Sequence, residues 1–439
     1  MSLGDEEKME EQVELVNTEA AVQTVAVLGQ GYVGLPVAMR AVEAGFNVVG
    51  FDPDERKISG LKAGRTHIDD VTSADIASAI ETGRFKPTCE ARDLAGFDIA
   101  VITVPTPLLD GAPDLSFIES ACAITSRFIR PGATVILEST TYPGTTDSVV
   151  APILEVGSGL TAGVDYHLGF SPERIDPGNE TWTFRSTPKI VAGINETSLK
   201  SVQRFYDQLV DTTIPTKGTR EAEMAKLLEN TFRHVNIALV NELAINAREL
   251  GIDMWDVIEA ASSKPFGFMS FYPGPGVGGH CLPIDPSYLS WQFERELGTV
   301  SRFVKVANDI NNSMPSYVAR RVQLGLNNRR KAVNGSRILI LGVAYKKNSN
   351  DARETPATPL IKDLLKLGAV VRIHDPFVDR FELDDDVDRV ELTVDEVEAA
   401  DAVVLVTDHD GVDYNMVVER ADFVFDARHK LVGESVETL

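Results

Sequence analysis

The sequence predicts an α/β protein in which two doubly wound domains flank a helical central domain. Three observations carry this prediction. Short apolar runs alternate with helical stretches over about 22–215 and again over 329–439, the alternation that builds parallel sheets covered on both faces. Residues 216–328 show helical periodicity and no comparable strands. A Gly29-Gln30-Gly31-Tyr32-Val33-Gly34 turn follows the first apolar run, at the place of a βα junction.

Residues 1–21 are acidic with little apolar periodicity and read as a flexible tail. Strand 24–28, helix 36–44 and strand 46–51 make one βαβ unit, and strands 99–104 and 134–137 extend its sheet. From 220 to about 250 runs a long amphipathic helix, with Met224, Leu228, Phe232, Val235 and Leu239 at spacings of three and four. Helical structure continues to about Asn327, and Asn334-Gly335 then turns the chain into a strand at 337–342. Strands 370–373, 402–406 and 423–425, with a helix at 360–367, repeat the alternation of the first domain. The cleft between two such domains is a usual place for a ligand.

Composition narrows the functions. At 439 residues and 43% hydrophobic side chains, the chain can fill several cores. Cys89, Cys122 and Cys281 stand far apart with no CxxC pair, so neither a disulfide framework nor a metal site is expected. A net charge of −24 argues against a nucleic-acid partner, which needs a surplus of Lys and Arg. No apolar run reaches the roughly 18 residues of a membrane span, and the acidic N-terminus is unlike a signal peptide, so the cytoplasm is the expected compartment. Acidic residues such as Asp384-Asp385-Asp386 fit a salt-rich cytoplasm or an ordinary solvated surface.

Five groups of residues point to chemistry. Gly29, Gly31 and Gly34 form the GxGxxG that cradles a pyrophosphate on backbone amides at a helix N-terminus. Asp52, at the end of the second strand, suits a ribose 2′-OH and so favours NAD over NADP, while Arg56-Lys57 could instead meet a 2′-phosphate. Lys226 and Asn230, four apart on one helix face, could hold a developing alkoxide, or be a surface lysine with a polar neighbour. Gly276-Val277-Gly278-Gly279-His280-Cys281-Leu282-Pro283-Ile284-Asp285-Pro286 sets one cysteine among glycines with a carboxylate four residues on. Pro283 is placed to open a helix whose N-terminal end favours a thiolate, so Cys281 reads as a nucleophile or as a structural cysteine beside a turn. Ser171-Pro172-Glu173-Arg174 adds a candidate base, and Lys346-Lys347 with Asp351-Ala352-Arg353-Glu354 add cations beside a strand end that suit a pyrophosphate.

In their order and spacing these segments resemble the UDP-glucose/GDP-mannose dehydrogenase family of nucleotide-sugar 6-dehydrogenases, from about Val22 to the C-terminus. The resemblance implies a Rossmann-like NAD domain, a helical dimerisation core, a C-terminal domain for the nucleotide part of a UDP-sugar, and a likeness in assembly to a homodimer. It implies oxidation of a C6 hydroxymethyl to a carboxylate at the expense of two NAD+. Carried over by position, Cys281 traps the aldehyde, Lys226 and Asn230 hold the C6 oxygen, Asp285 moves protons with Lys226, and Glu173 and Thr140 place the hydrolytic water and the reacting carbon. Lys346 and Arg353 bind the diphosphate end, and Arg174, Tyr272 and Gly278 join them on the substrate side. For the cofactor the resemblance selects Gly29, Gly31, Tyr32, Val33, Gly34, Asp52, Lys57, Thr106 and Thr140.

His280 and Ile284 replace the serine and lysine common in UDP-glucose enzymes, and Pro177 stands where a second glutamate is usual. These departures resemble the UDP-N-acetylglucosamine and UDP-N-acetylmannosamine branch. The alternatives are a UDP-glucose 6-dehydrogenase, a two-electron hydroxyacid dehydrogenase needing no thiol, and a non-enzymatic nucleotide-binding module.

Overall fold

The computed structural model describes residues 22–68, 70–109, 111–175, 179, 181–279 and 282–439. The acidic tail, Pro177, His280 and Cys281 lie outside the described residues.

The first sheet contains β1 (Thr24–Leu28), β2 (Asn47–Phe51), β3 (Phe85–Thr88) and β4 (Ile99–Ile102). After a separate small hairpin of β5 (Leu108–Leu109) and β6 (Ala112–Pro113), it continues with β7 (Thr134–Leu137), β8 (His167–Phe170), β9 (Lys189–Gly193) and β10 (Thr213–Pro215). The order is β10-β9-β8-β7-β4-β1-β2-β3, parallel throughout except for β8 against β9. Four-residue strands such as IAVI of β4 and TVIL of β7 are wholly buried, as expected where helices cover both faces. The first helix, Gly34–Glu43, starts two residues before the expected 36.

The second sheet contains β11 (Arg337–Leu341), β12 (Val370–His374), β13 (Asp388–Arg389), β14 (Ala402–Leu405), β15 (Val424–Asp426) and β16 (Val436–Thr438), in the order β13-β12-β11-β14-β15-β16 and all parallel. This is the doubly wound order 3-2-1-4-5-6, and local devices of the first sheet recur in it. Thr24 N donates to Asp98 Oδ2 at 2.8 Å, and Arg337 N to Asp401 Oδ2 at 2.9 Å. Gly29 (φ 96°) and Gly342 (φ 81°) end the first strand of each sheet, and a Cβ there would stand 2.7 Å from Thr103 O and 2.3 Å from Thr407 O. Only glycine fits either position. Asp375 after β12 takes the amides of Val343 and Ala344 at 2.7 and 3.0 Å, as Asp52 after β2 takes that of Gln30 at 2.9 Å.

Between the sheets lie helices Thr219–Glu249, Met254–Ser262, Asp285–Leu297 and Arg302–Asn328. The longest packs along Arg302–Asn328, and its orientation departs from what its apolar stripe suggests. Leu228, Phe232 and Leu239 are 59%, 46% and 49% exposed, whereas Lys226, Asn230, His234 and Asn241 are buried. The inward face carries polar groups among small and apolar ones because these satisfy one another: His234 Nε2 meets Asn308 Oδ1 at 2.7 Å, and Asn241 Nδ2 donates to Asn311 Oδ1 at 3.0 Å. Among the described residues no helix is long and apolar enough to cross a membrane.

Candidate active site

β1 sits where the strand order of the first sheet reverses, and open α/β sheets bind ligands at the carboxyl ends of strands at such a point. The three glycines of the turn there do different things. Gly29 makes the turn with a positive φ, and a Cβ on Gly34 would lie 1.8 Å from Gly29 O, so Gly34 lets helix and strand meet. At Gly31 a Cβ would meet nothing within 4 Å, which leaves the backbone open to a phosphate. Asp52 Oδ2 accepts from Gln30 N and, at 3.2 Å, from Lys57 Nζ, and Oδ1 accepts from Asp54 N at 2.9 Å. Arg56 pairs with Asp54 at 3.3 Å. Both cations beside Asp52 are thus engaged by carboxylates, and the group fits a dinucleotide with a free 2′-OH. Tyr32 and Val33 are half-buried in the same turn, and His67 Nε2 meets the carbonyl of Gln30 at 2.7 Å.

Thr106 and Thr140 follow β4 and β7, buried and half-buried respectively. The loop carrying Thr140 is pinned from two helices. Buried Glu223 accepts from Gly144 N, Thr146 N and Thr146 Oγ1 at 2.5, 2.9 and 2.7 Å, and Gln292 Nε2 donates to Pro143 O at 2.7 Å. Tyr288, fully buried, donates its hydroxyl to the carbonyl of Thr106. Sequence reasoning passed over Tyr288, although it stands three residues after Asp285 on one helix face.

The helix expected to open at Pro283 begins at Asp285, with Pro286 in its first turn. Asn230 Nδ2 donates to Asp285 Oδ2 at 2.5 Å. Burial pushes the Asp285 carboxyl up to about 6, against the opposing pull of the Lys226 charge and the Asn230 hydrogen bond. Lys226 also acts on Glu173, so one ammonium lies within electrostatic reach of both carboxylates. Leu227, Ile284, Tyr288 and Leu289 form an apolar cluster that seats the Asp285 helix on the long helix. Arg174 is engaged internally, pairing with Glu229 Oε1 at 2.7 Å and donating to Pro188 O at 2.6 Å.

The glycines before Cys281 pack on the C-terminal part of the chain. A Cβ at Gly278 would stand 2.8 Å from Glu354 O, and one at Gly279 (φ 85°) 2.7 Å from the Tyr345 ring. This brings the loop beside half-buried Lys346 and beside Arg353, whose guanidinium lies 5.2 Å from the Tyr32 ring centroid and pairs with Asp351 at 2.6 Å. Tyr272 stacks on Trp255 at 5.4 Å, and Trp255 on His429 at 4.6 Å. Gly274 N donates to Asn241 Oδ1 at 2.9 Å, tying the loop to the long helix.

A dinucleotide cradle and a second doubly wound sheet, both abutting a helical core with buried Lys226, Asn230 and Asp285, define an oxidoreductase class. Models of the UDP-glucose/GDP-mannose dehydrogenase family match residues 23–210 with its NAD binding domain, 220–313 with its central domain and 339–432 with its UDP binding domain, and the chain belongs to this family. It is an NAD-dependent oxidoreductase acting on CH–OH groups. The chain is 36% identical to UDP-N-acetyl-D-mannosamine dehydrogenase of Pyrococcus horikoshii over 88% of its own length and 89% of the relative's. It is 36% identical to UDP-N-acetyl-D-glucosamine 6-dehydrogenase of Pseudomonas aeruginosa, over 81% and 83%. The solved structure of UDP-D-ManNAc dehydrogenase from Pyrococcus horikoshii superposes with a TM-score of 0.87 at 33% identity, covering 95% of this chain and 98% of that one.

Proposed function

We propose that the protein oxidises the C6 hydroxymethyl of a UDP-N-acetylhexosamine, UDP-GlcNAc or UDP-ManNAc, to the uronic acid, for glycan or polysaccharide synthesis in the cytoplasm. The observation that carries this reading is the buried contact of Asn230 with Asp285, next to Lys226 and four residues beyond Cys281. The similarity to acetamido-sugar dehydrogenases supports the sugar class.

NAD+ would be held by Gly29, Gly31, Tyr32, Val33, Gly34, Asp52, Lys57, Thr106 and Thr140, and would supply the hydride acceptor for both oxidations. Lys226 and Asn230 hold the C6 oxygen as it gains negative charge, a role for a cation and a neutral donor. Asp285 takes the hydroxyl proton once it is ionised. The Cys281 thiol adds across the aldehyde C=O to give a thiohemiacetal, and loss of a second hydride, with the hydroxyl proton leaving by way of Asp285, gives a thioester. Water placed by Glu173 then bonds to the acyl carbon, the C–S bond breaks, and the acid leaves with the thiol restored. Lys346 and Arg353 hold the diphosphate, with Arg174, Tyr272 and Gly278 around the sugar. Residues 22–215, 216–328 and 329–439 act as NAD, central and UDP-sugar domains.

We further infer a homodimer joined through the exposed stripe of Leu228, Phe232 and Leu239, since such a run of apolar side chains on one helix face marks a contact. The acidic surface suits high salt. The test is NADH formed per limiting sugar, with UDP-N-acetylglucosamine, UDP-N-acetylmannosamine and UDP-glucose in parallel at low and molar salt. Two NADH from one acetamido sugar is expected; turnover of UDP-glucose alone overturns the sugar class. In Cys281→Ala, carboxylate formation should stop, and unchanged turnover would remove the thioester.

A further inference from the structure

Behind Glu173 the interior holds charges that take no part in the proposed reaction steps. Lys189, on β9 and only 4% exposed, places its ammonium between two carboxylates. It pairs with Glu138, the residue that follows β7, and with Glu173 Oε2 at 3.4 Å. Glu138 is 1% exposed, and its other oxygen accepts the buried Tyr206 hydroxyl at 2.6 Å. The rings of Phe184 and Tyr206 flank the same ammonium at 5.4 and 5.3 Å, a favourable setting for a desolvated cation.

Burial on this scale is costly unless geometry and partners compensate it, and the compensation here is asymmetric. Glu173 Oε1 accepts the backbone amides of Arg174 and Ile175 at 2.6 and 2.5 Å, while Oε2 faces Lys189. Glu138 has one hydroxyl and the shared ammonium. Burial drives the Glu138 carboxyl above the usual carboxylate range despite Lys189. Burial opposes ionisation of Glu173 too, but the Lys189 charge, the Ile175 amide and the Lys226 charge hold it below that range. The cluster therefore keeps its negative charge on the outer carboxylate, the one within reach of Lys226.

We propose that Lys189, braced by Glu138 and Tyr206, is a positioning residue that fixes Glu173 as an aimed, ionised acceptor for the water that cleaves the thioester. This rests on the reading of Glu173 given above. In that step the water oxygen bonds to the acyl carbon and the C–S bond breaks. One water proton passes by way of Glu173 to the departing sulfur, and the other stays on the acid. Without Lys189 the Glu173 carboxylate would lose the contact that orients Oε2.

The experiment uses the full-length protein with whichever of UDP-N-acetylglucosamine and UDP-N-acetylmannosamine it turns over. Lys189→Met combined with Glu138→Gln removes the ammonium and leaves no carboxyl at position 138 to be stranded by its loss. The expected result is a kcat lower by about 10- to 100-fold, a KM for the sugar within about twofold, and a substrate-derived acyl mass on Cys281 in protein quenched during turnover. Glu173→Gln should accumulate the same mass, and combining it with the paired variant should cost little more, as for residues acting as one unit. Lys189→Arg should restore hydrolysis at least in part. Normal hydrolysis by Glu173→Gln would refute the role of Glu173 itself. Stalled Glu173→Gln beside a paired variant that turns over normally would refute Lys189 alone. Failure of both the paired variant and Lys189→Arg to fold would assign the cluster to stability and overturn the proposal.

Discussion

Arg353 lies across the ring of Tyr32, 5.2 Å from guanidinium carbon to ring centroid, although 321 positions separate them. Tyr32 belongs to the glycine turn that follows β1, and Arg353 to the loop that follows β11. The Tyr32 hydroxyl also donates to Asn350 Oδ1 at 3.3 Å. The two loops proposed to hold the nucleotides therefore touch.

Tyr32→Leu should weaken the binding of UDP-sugar as well as of NAD+, because a contact shared by two sites couples them reciprocally. A loss of about fivefold for each ligand is expected, measured by calorimetry with and without the other. Weakening of NAD+ alone would show that the contact carries no coupling.

Gly31→Ala and Gly34→Ala should separate cofactor binding from folding. At Gly34 the new methyl would overlap Gly29 O, so destabilisation of about 3 kcal/mol or more is expected. Gly31→Ala has room within the fold, so its Tm should change little while the Kd for NAD+ rises at least tenfold. Thermal melts and NAD+ titrations check both.

Asp285 predicts a pH dependence of both rate and stability. Its carboxyl titrates near 6 rather than at the ordinary 3.8. The folded state therefore holds the proton more tightly, and stability present below about 4 is lost as pH rises through about 6. Asp285→Asn should melt higher than wild type at pH 7.5, by up to about 3 kcal/mol, and lose that advantage near pH 4. The wild-type rate should rise through pH 6 as the base ionises, and Asp285→Asn should lack this limb.

Phe232→Glu should yield monomers by light scattering if a second copy covers the stripe. A variant that keeps the wild-type mass would place the contact elsewhere.

The sequence makes some of this visible and hides the rest for physical reasons. The βαβ start, the glycine turn and Asp52 are legible because their spacing is local and each residue type answers a backbone need. Lys226 and Asn230 are legible as one helix face. That Asp285 meets Asn230 is not, since they stand 55 positions apart, with another helix and loops between them, and no periodicity encodes the approach. The stripe containing Phe232 is legible as an apolar face but misleading about the core, because periodicity records that a face will be covered and not by what. Lys189, Glu138 and Tyr206 give no pattern at all: each is a single polar residue in or near an apolar stretch, and only the fold brings them together.

The long helix presents Lys226 and Asn230 on one side and Leu228 and Phe232 on the other, interleaved over the same two turns. A helix of this kind moves as a rod, so whatever rests against Phe232 also fixes where Asn230 points. A second copy seated on Phe232 would make assembly and the proposed chemistry share one mechanical part, so that a change made at the outer surface would be felt inside within a single helical diameter.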